Sequence, residues 1–406
     1  MSTHENPPPS SMSHPFHVGR PNLGSREKLH RLVDQMLDRN WLSNDGPLVQ
    51  EFERQIAEIA GVRHCVAMCN ATIALEIATR AAGITGEAII PAYTFVATAH
   101  ALQWQGITPV FCDIDPVTHN LDPACIERLI TPKTSAIIGV HVWGKPCPVD
   151  ALTAIAHRHG LTLMFDAAHA FGCSHGGRPI GGFGLAEVFS FHATKFVNCA
   201  EGGAVVTNDD ELAARMRLMR NFGFSGYDNV IYVGTNGKMN ELSAAMGLTS
   251  LDSMPHIVET NRRNYEAYRN ALRDLPGVAL IAYDETQAQN YQYLVLDIEP
   301  ATCPLTRDQL VQVLHAHNAL ARRYFFPGVH RMEPYRSYYP NAHLLLPITE
   351  DVVRRVVVLP TGTAVTPRDV EQIGQIIRWA LDNAGALRKR LPETIPPGGR
   401  FDEGWA

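Results

Sequence analysis

At 406 residues the chain exceeds what a single core usually needs, so a large domain with a smaller companion is expected. A formal net charge of -6 with no basic run argues against a nucleic-acid surface, and no apolar stretch is long enough to span a bilayer. Eight cysteines scattered from Cys65 to Cys303 form no CxxC pair, and no signal peptide is visible, so a soluble cytoplasmic protein with reduced thiols is expected.

Residues 1–15, rich in Ser, Pro and His, are expected to be disordered, and 388–406, with Pro396-Pro397-Gly398-Gly399, to form a tail. From residue 48 the pattern alternates. An amphipathic helix over 48–60 precedes an apolar run at 65–68, a helix over 72–82, a strand at 88–90, a helix over 94–105 and a strand at 109–113. Strands are expected at 136–141, 162–166, 188–192 and 204–207, with a helix over 149–159 among them. Apolar strands alternating with helices predict an α/β fold whose large, mainly parallel sheet is covered by helices on both faces. In such folds ligands sit at the carboxyl ends of the strands, which here carry Asp166, His169, Ser190 and Lys195. Helices over 240–254 and 262–275 then lead to a smaller α+β unit: a strand at 291–298, a helix over 306–317, strands at 321–325 and 356–359, and a closing helix over 367–383. The expected division is 16–255 for the large domain and 256–387 for the small one.

Several strand-end residues match what pyridoxal phosphate (PLP) demands of a protein: an amine for its aldehyde, an acid for its pyridine nitrogen, donors for its phosphate and a flat cover for its ring. Lys195 follows the strand in Phe189-Ser190-Phe191-His192-Ala193-Thr194-Lys195. Asp166 ends the apolar run 161–165, where a carboxylate is costly unless a cation partners it. His169 follows three residues on, within reach of a ring oxygen. Cys69-Asn70-Ala71-Thr72 joins a strand to a helix, so free amides and the helix dipole favour an anion there, and Ser190 adds a hydroxyl. Phe95 offers a ring for stacking. Singly, each also suits an ordinary role: a surface lysine, a capping aspartate or asparagine, a core phenylalanine. The run 176–182 lacks GxGxxG spacing and a preceding strand, so no dinucleotide site is expected. His17, His141, His157 and His159 lack zinc-ligand spacing, and no metal site is expected.

As an ordered set the motifs resemble the DegT/StrS-type sugar aminotransferases, PLP enzymes of fold type I. The likeness runs from about Val18 to about Thr363. It includes Trp41-Leu42-Ser43-Asn44-Asp45-Gly46-Pro47, Pro91-Ala92-Tyr93-Thr94-Phe95, Asp166-Ala167-Ala168-His169-Ala170, Phe191-His192-Ala193-Thr194-Lys195, Glu201-Gly202-Gly203-Ala204 and Gly234-Thr235-Asn236-Gly237-Lys238-Met239-Asn240-Glu241. The resemblance implies that Lys195 forms the Schiff base, that Asp166 partners the pyridine nitrogen and that His169 lies near the ring oxygen. It implies a phosphate held by Ala71, Thr72, the amide of Ile73, Ser190 and, from the second subunit of a dimer with shared active sites, Asn236. Phe95 falls at the stacking position, and Trp41, Ser43, Lys238, Tyr324 and His330 fall near the substrate. Phe196 stands where asparagine is usual and Lys238 where arginine is common.

The likeness is densest to family members that aminate C4 of a dTDP-4-keto-6-deoxyhexose. The implied reaction takes the amino group from glutamate and gives it to a nucleotide-linked keto sugar. Amination of a cyclitol or of a 3-keto sugar remains open, as does a catalytically silent regulatory role.

Overall fold

The computed structural model describes residues 7–398. Its centre is a seven-stranded sheet built from β1 (His64–Met68), β2 (Glu87–Pro91), β3 (Thr108–Cys112), β4 (Thr134–Val140), β5 (Thr162–Asp166), β6 (Glu187–Ser190) and β7 (Gly203–Thr207). The spatial order is β1-β7-β6-β5-β4-β2-β3. Only β7 runs against its neighbours; the other four pairings are parallel. The strands read as continuous apolar runs because both faces are covered. Leu163, Phe165 and Phe189 face one core with Phe52 and Ile56, while Met164 and Val188 face the other with Ala78 and Leu102.

Helices α1 (Arg26–Arg39), α2 (Pro47–Ala60), α3 (Ala71–Ala81), α4 (Ala97–Trp104), α5 (Val149–His159) and α6 (Asp210–Met219) cover this sheet. The N-cap of α2 is Gly46, which has no side chain to satisfy the first turn. The buried carboxylate of Glu241 does so instead, accepting the amides of Leu48 at 3.0 Å and Val49 at 2.9 Å.

The two helices expected over 240–254 and 262–275 are one, α7 (Glu241–Ala271), which runs unbroken through Pro255. Proline removes one helical hydrogen bond, but packing holds both sides of it: Leu248, Leu251 and Ile257 in the large core, Tyr265 and Tyr268 in the small one. The expected division at residue 255 therefore falls inside a helix.

The small domain pairs β8 (Val278–Leu280), β9 (Leu294–Ile298) and β10 (Val356–Leu359) antiparallel in that order. Helices α8 (Arg307–Ala316), α9 (Pro347–Arg355) and α10 (Pro367–Asp382) complete it. The strand expected at 321–325 does not form. Ala319–Leu320 pairs with Phe16–His17, and the chain then turns into the domain junction, where Phe325 stacks on Trp143 at 5.4 Å.

Residues 7–15 are docked, not disordered. Met12 is buried among small-domain residues, its amide donates to His317 O at 3.0 Å, and Gln372 donates to Ser10 O at 2.9 Å. The expected tail is likewise ordered as far as it is described. A short helix spans Ala384–Arg390, and the Ile395 amide donates to Asp308 at 2.7 Å. Residues 1–6 and 399–406, included in those two expectations, lie outside the described residues.

Candidate active site

Asp166 closes β5, Ser190 closes β6 and Lys195 follows β6 by one turn, so parallel strands deliver all three to one edge of the sheet. Asp166 is buried. Its Oδ2 accepts the Thr98 hydroxyl at 2.8 Å and its Oδ1 the Ala168 amide at 3.1 Å. Burial pushes the carboxyl above its ordinary range, opposed by these two bonds and by the charge of Lys195. The Lys195 amine donates to the Tyr293 hydroxyl at 2.9 Å. Burial brings its pKa down to about 8 against the opposing pull of Asp166, so an appreciable fraction is the neutral, nucleophilic amine near neutral pH.

His169 is buried beside them. The Trp143 amide donates to its Nδ1 at 3.3 Å, which assigns the ring proton to Nε2. Burial, then the Lys195 cation, hold this imidazole well below its usual pKa, so it is neutral and offers an N–H. Its ring lies 4.4 Å from that of Tyr293 and 5.8 Å from that of Phe325. Trp143 reaches it from a left-handed backbone, φ 62, an uncommon conformation for so large a residue.

The other end of the site is the start of α3. Here the Ile73 amide donates to the Asn70 side chain at 2.9 Å, an ordinary helix cap. The amides of Ala71 and Thr72 have no partner among the described residues and remain available to an anion. Gly203, paired with Ser190 across β7 and β6, makes this turn possible, because a Cβ there would lie 2.5 Å from the Ala71 nitrogen. The free amides and the Ser190 hydroxyl suit a phosphate, Asp166 suits a pyridinium and Lys195 suits an aldehyde. The residues present therefore fit PLP.

Phe95, at the mouth between β2 and α4, is 58% exposed. Asn236 is exposed and its side chain has no partner among the described residues; its segment lies beside β1 through the bond from the Cys69 amide to Gly237 O at 2.9 Å. Lys238 donates to Asn221 at 3.0 Å, and the indole of Trp41 donates to Ser43 O at 2.6 Å. Tyr324 adjoins the site, its ring 6.5 Å from that of Tyr293. The side chain of His330 is enclosed, and its Nε2 pairs with Glu350 of α9 at 2.6 Å.

The sequence profile of the DegT/DnrJ/EryC1/StrS aminotransferase family matches residues 24–378. The chain belongs to this family. It is 36% identical over 369 residues to a dTDP-4-amino-4,6-dideoxy-D-glucose transaminase of Shigella dysenteriae, covering 90% of this chain and 99% of the relative. It is also 36% identical over 369 residues to a GDP-perosamine synthase of Caulobacter vibrioides, covering 88% of this chain and 95% of that one. Among solved structures, DesI in the presence of its TDP-sugar product superposes with a TM-score of 0.90 at 51% identity, covering 94% of this chain and 97% of that one. Helicobacter pylori PseC, an aminotransferase involved in the biosynthesis of pseudoaminic acid, superposes with a TM-score of 0.85 at 28% identity, covering 91% and 100%. The α/β architecture is that of the fold-type I aminotransferases, and the chain is an aminotransferase of this family.

Within that family frame, the sequence reading missed Thr98, Trp143 and Tyr293. Thr98 had a signal: it stands one helical turn after Thr94, in the segment already singled out for Phe95. Tyr293 had none, because Tyr291-Gln292-Tyr293 reads as the start of a strand.

Proposed function

We propose that the chain transfers an amino group from glutamate to C4 of a dTDP-linked 4-keto-6-deoxyhexose, using PLP. The observation that carries this is the amine of Lys195, partly neutral, beside a buried Asp166 at the strand edge of a chain so similar to DesI. When bound, PLP supplies an aldehyde for the amine and a ring that takes up electrons when a C–H bond breaks. The protein does the rest. The Ala71 and Thr72 amides and the Ser190 hydroxyl would hold its phosphate, Asp166 would pair as an anion with its pyridine nitrogen, and the Nε2–H of His169 would be the donor for its ring oxygen. Lys195 Nζ removes the proton from Cα of glutamate, which leaves as 2-oxoglutarate, and later returns a proton at C4 of the sugar.

A homodimer with shared sites completes this reading. Phe222, Tyr227, Ile231 and Val233 are exposed on the segment that carries Asn236 and Lys238, and Trp41 and Leu42 are exposed nearby in sequence to Ser43. Such apolar side chains suit a second copy, which would bring Asn236 to the partner's phosphate. The eight cysteines are free thiols, which suits the cytoplasm. The test is NMR of the product formed from dTDP-4-keto-6-deoxyglucose and glutamate. An amine on C4 is expected; an amine on C3, or no product from any nucleotide sugar, refutes the assignment.

A further inference from the structure

A short stretch of the small domain reaches the lysine and its neighbours. Asn290 donates to His169 O at 2.8 Å and Phe171 O at 3.1 Å, Gln292 accepts the Phe196 amide at 3.4 Å, and Tyr293 meets the Lys195 amine itself. The backbone of Tyr293 is fixed in turn by Tyr283, whose hydroxyl donates to Tyr293 O at 2.7 Å and accepts its amide at 3.3 Å. The phenol is buried, and burial holds it far above its usual pKa, so it is a neutral hydroxyl at any working pH.

Resting on the aminotransferase reading, we propose that Tyr293 is a positioning residue for Lys195: its phenol oxygen receives one N–H of the amine and fixes where the nitrogen points whenever the lysine is free to carry a proton. Without that bond the four-carbon stem of lysine leaves Nζ free to rotate away from the reacting carbon. The groups facing the amine are the Asp166 carboxylate, the neutral His169 ring and the Tyr293 phenol, with Tyr324 behind the phenol. A phenol oxygen binds an ammonium more strongly than a neutral amine. Removing it therefore disfavours the cation, and the lysine pKa falls below its value of about 8.

The test uses Tyr293→Phe, which keeps the ring, and reads two quantities. The first needs neither cofactor nor substrate: the pH dependence of Lys195 acylation by acetic anhydride in the apoprotein, followed by peptide mass spectrometry. The midpoint for Lys195 is expected to drop by about one unit. Lys145, another lysine whose pKa burial lowers, should keep its midpoint and so reports an intact interior. The second quantity is turnover with PLP: kcat is expected to fall about 10- to 100-fold, as for a reacting group displaced by an ångström, with KM for both substrates little changed. An unmoved Lys195 midpoint overturns the proposal, and so does an equal shift at Lys145, which would mean a loosened core. Absence of turnover in the unaltered protein would instead count against the proposed function, leaving the labelling result to decide the role of Tyr293.

Discussion

Replacing Thr98 with valine removes one hydroxyl and keeps the β-branch, so it isolates a single bond to the acid of the site. That hydroxyl is buried and donates to Asp166 Oδ2 at 2.8 Å; its other partner is the Thr94 hydroxyl at 3.0 Å. A hydrogen bond to a charged group contributes roughly 1.5–3 kcal/mol, and 1.36 kcal/mol corresponds to one pKa unit, so the Asp166 carboxyl should rise by about one to two units. Its pKa is already raised by burial. The anion exists only above that pKa, so cofactor affinity through the pyridinium contact is lost as pH falls through it. In Thr98→Val that loss moves to a pH about one to two units higher. Titrating apoprotein with PLP by absorbance at a series of pH values measures this. An affinity profile superimposable on that of the unaltered protein would refute the argument that Thr98 keeps Asp166 ionised.

Other consequences follow from particular contacts. Met12→Ala should lower stability to denaturant by about 2–3 kcal/mol, the lower part of the range for buried methionine, because Met12 packs in the small-domain core; an unchanged midpoint would mean that the segment does not dock. Glu241→Ala should cost about 1–2 kcal/mol in the same assay, since Leu48 and Val49 lose the acceptor that caps α2. If each site draws Asn236 from the partner, inactive Lys195→Ala and Asn236→Ala proteins should complement on subunit exchange. Random pairing makes about half the dimers mixed, each with one intact site, so about a quarter of native activity should return; heterodimers as inactive as their parents would place Asn236 with its own lysine.

The sheet and its strand-end residues were legible because each central strand is apolar on both faces and bounded by turn residues. β5 and β10 follow their expected limits residue for residue, as does α5. What escaped depended on contacts distant in sequence. Pro255 looks like a helix end, and only packing from two cores keeps α7 continuous. Met12 is a lone apolar residue in a Pro- and Ser-rich stretch, so no periodicity announces that it is buried. The partner of His330 is Glu350, twenty positions on, and nothing local in the sequence announces that pair. Asn70 was recognised as a possible helix cap, and the structure shows it in that role, accepting the Ile73 amide.

The central claim is that the Lys195 amine carries the amino-transfer chemistry. It is tested most directly by mixing PLP-loaded protein with glutamate in the absence of any sugar and measuring the 2-oxoglutarate released per subunit, for the unaltered chain and for Lys195→Ala. One equivalent is expected from the unaltered protein. From Lys195→Ala the rate should be lower by at least the roughly 10²–10⁴ that an acid–base group contributes. Release at a near-native rate from Lys195→Ala would contradict the account.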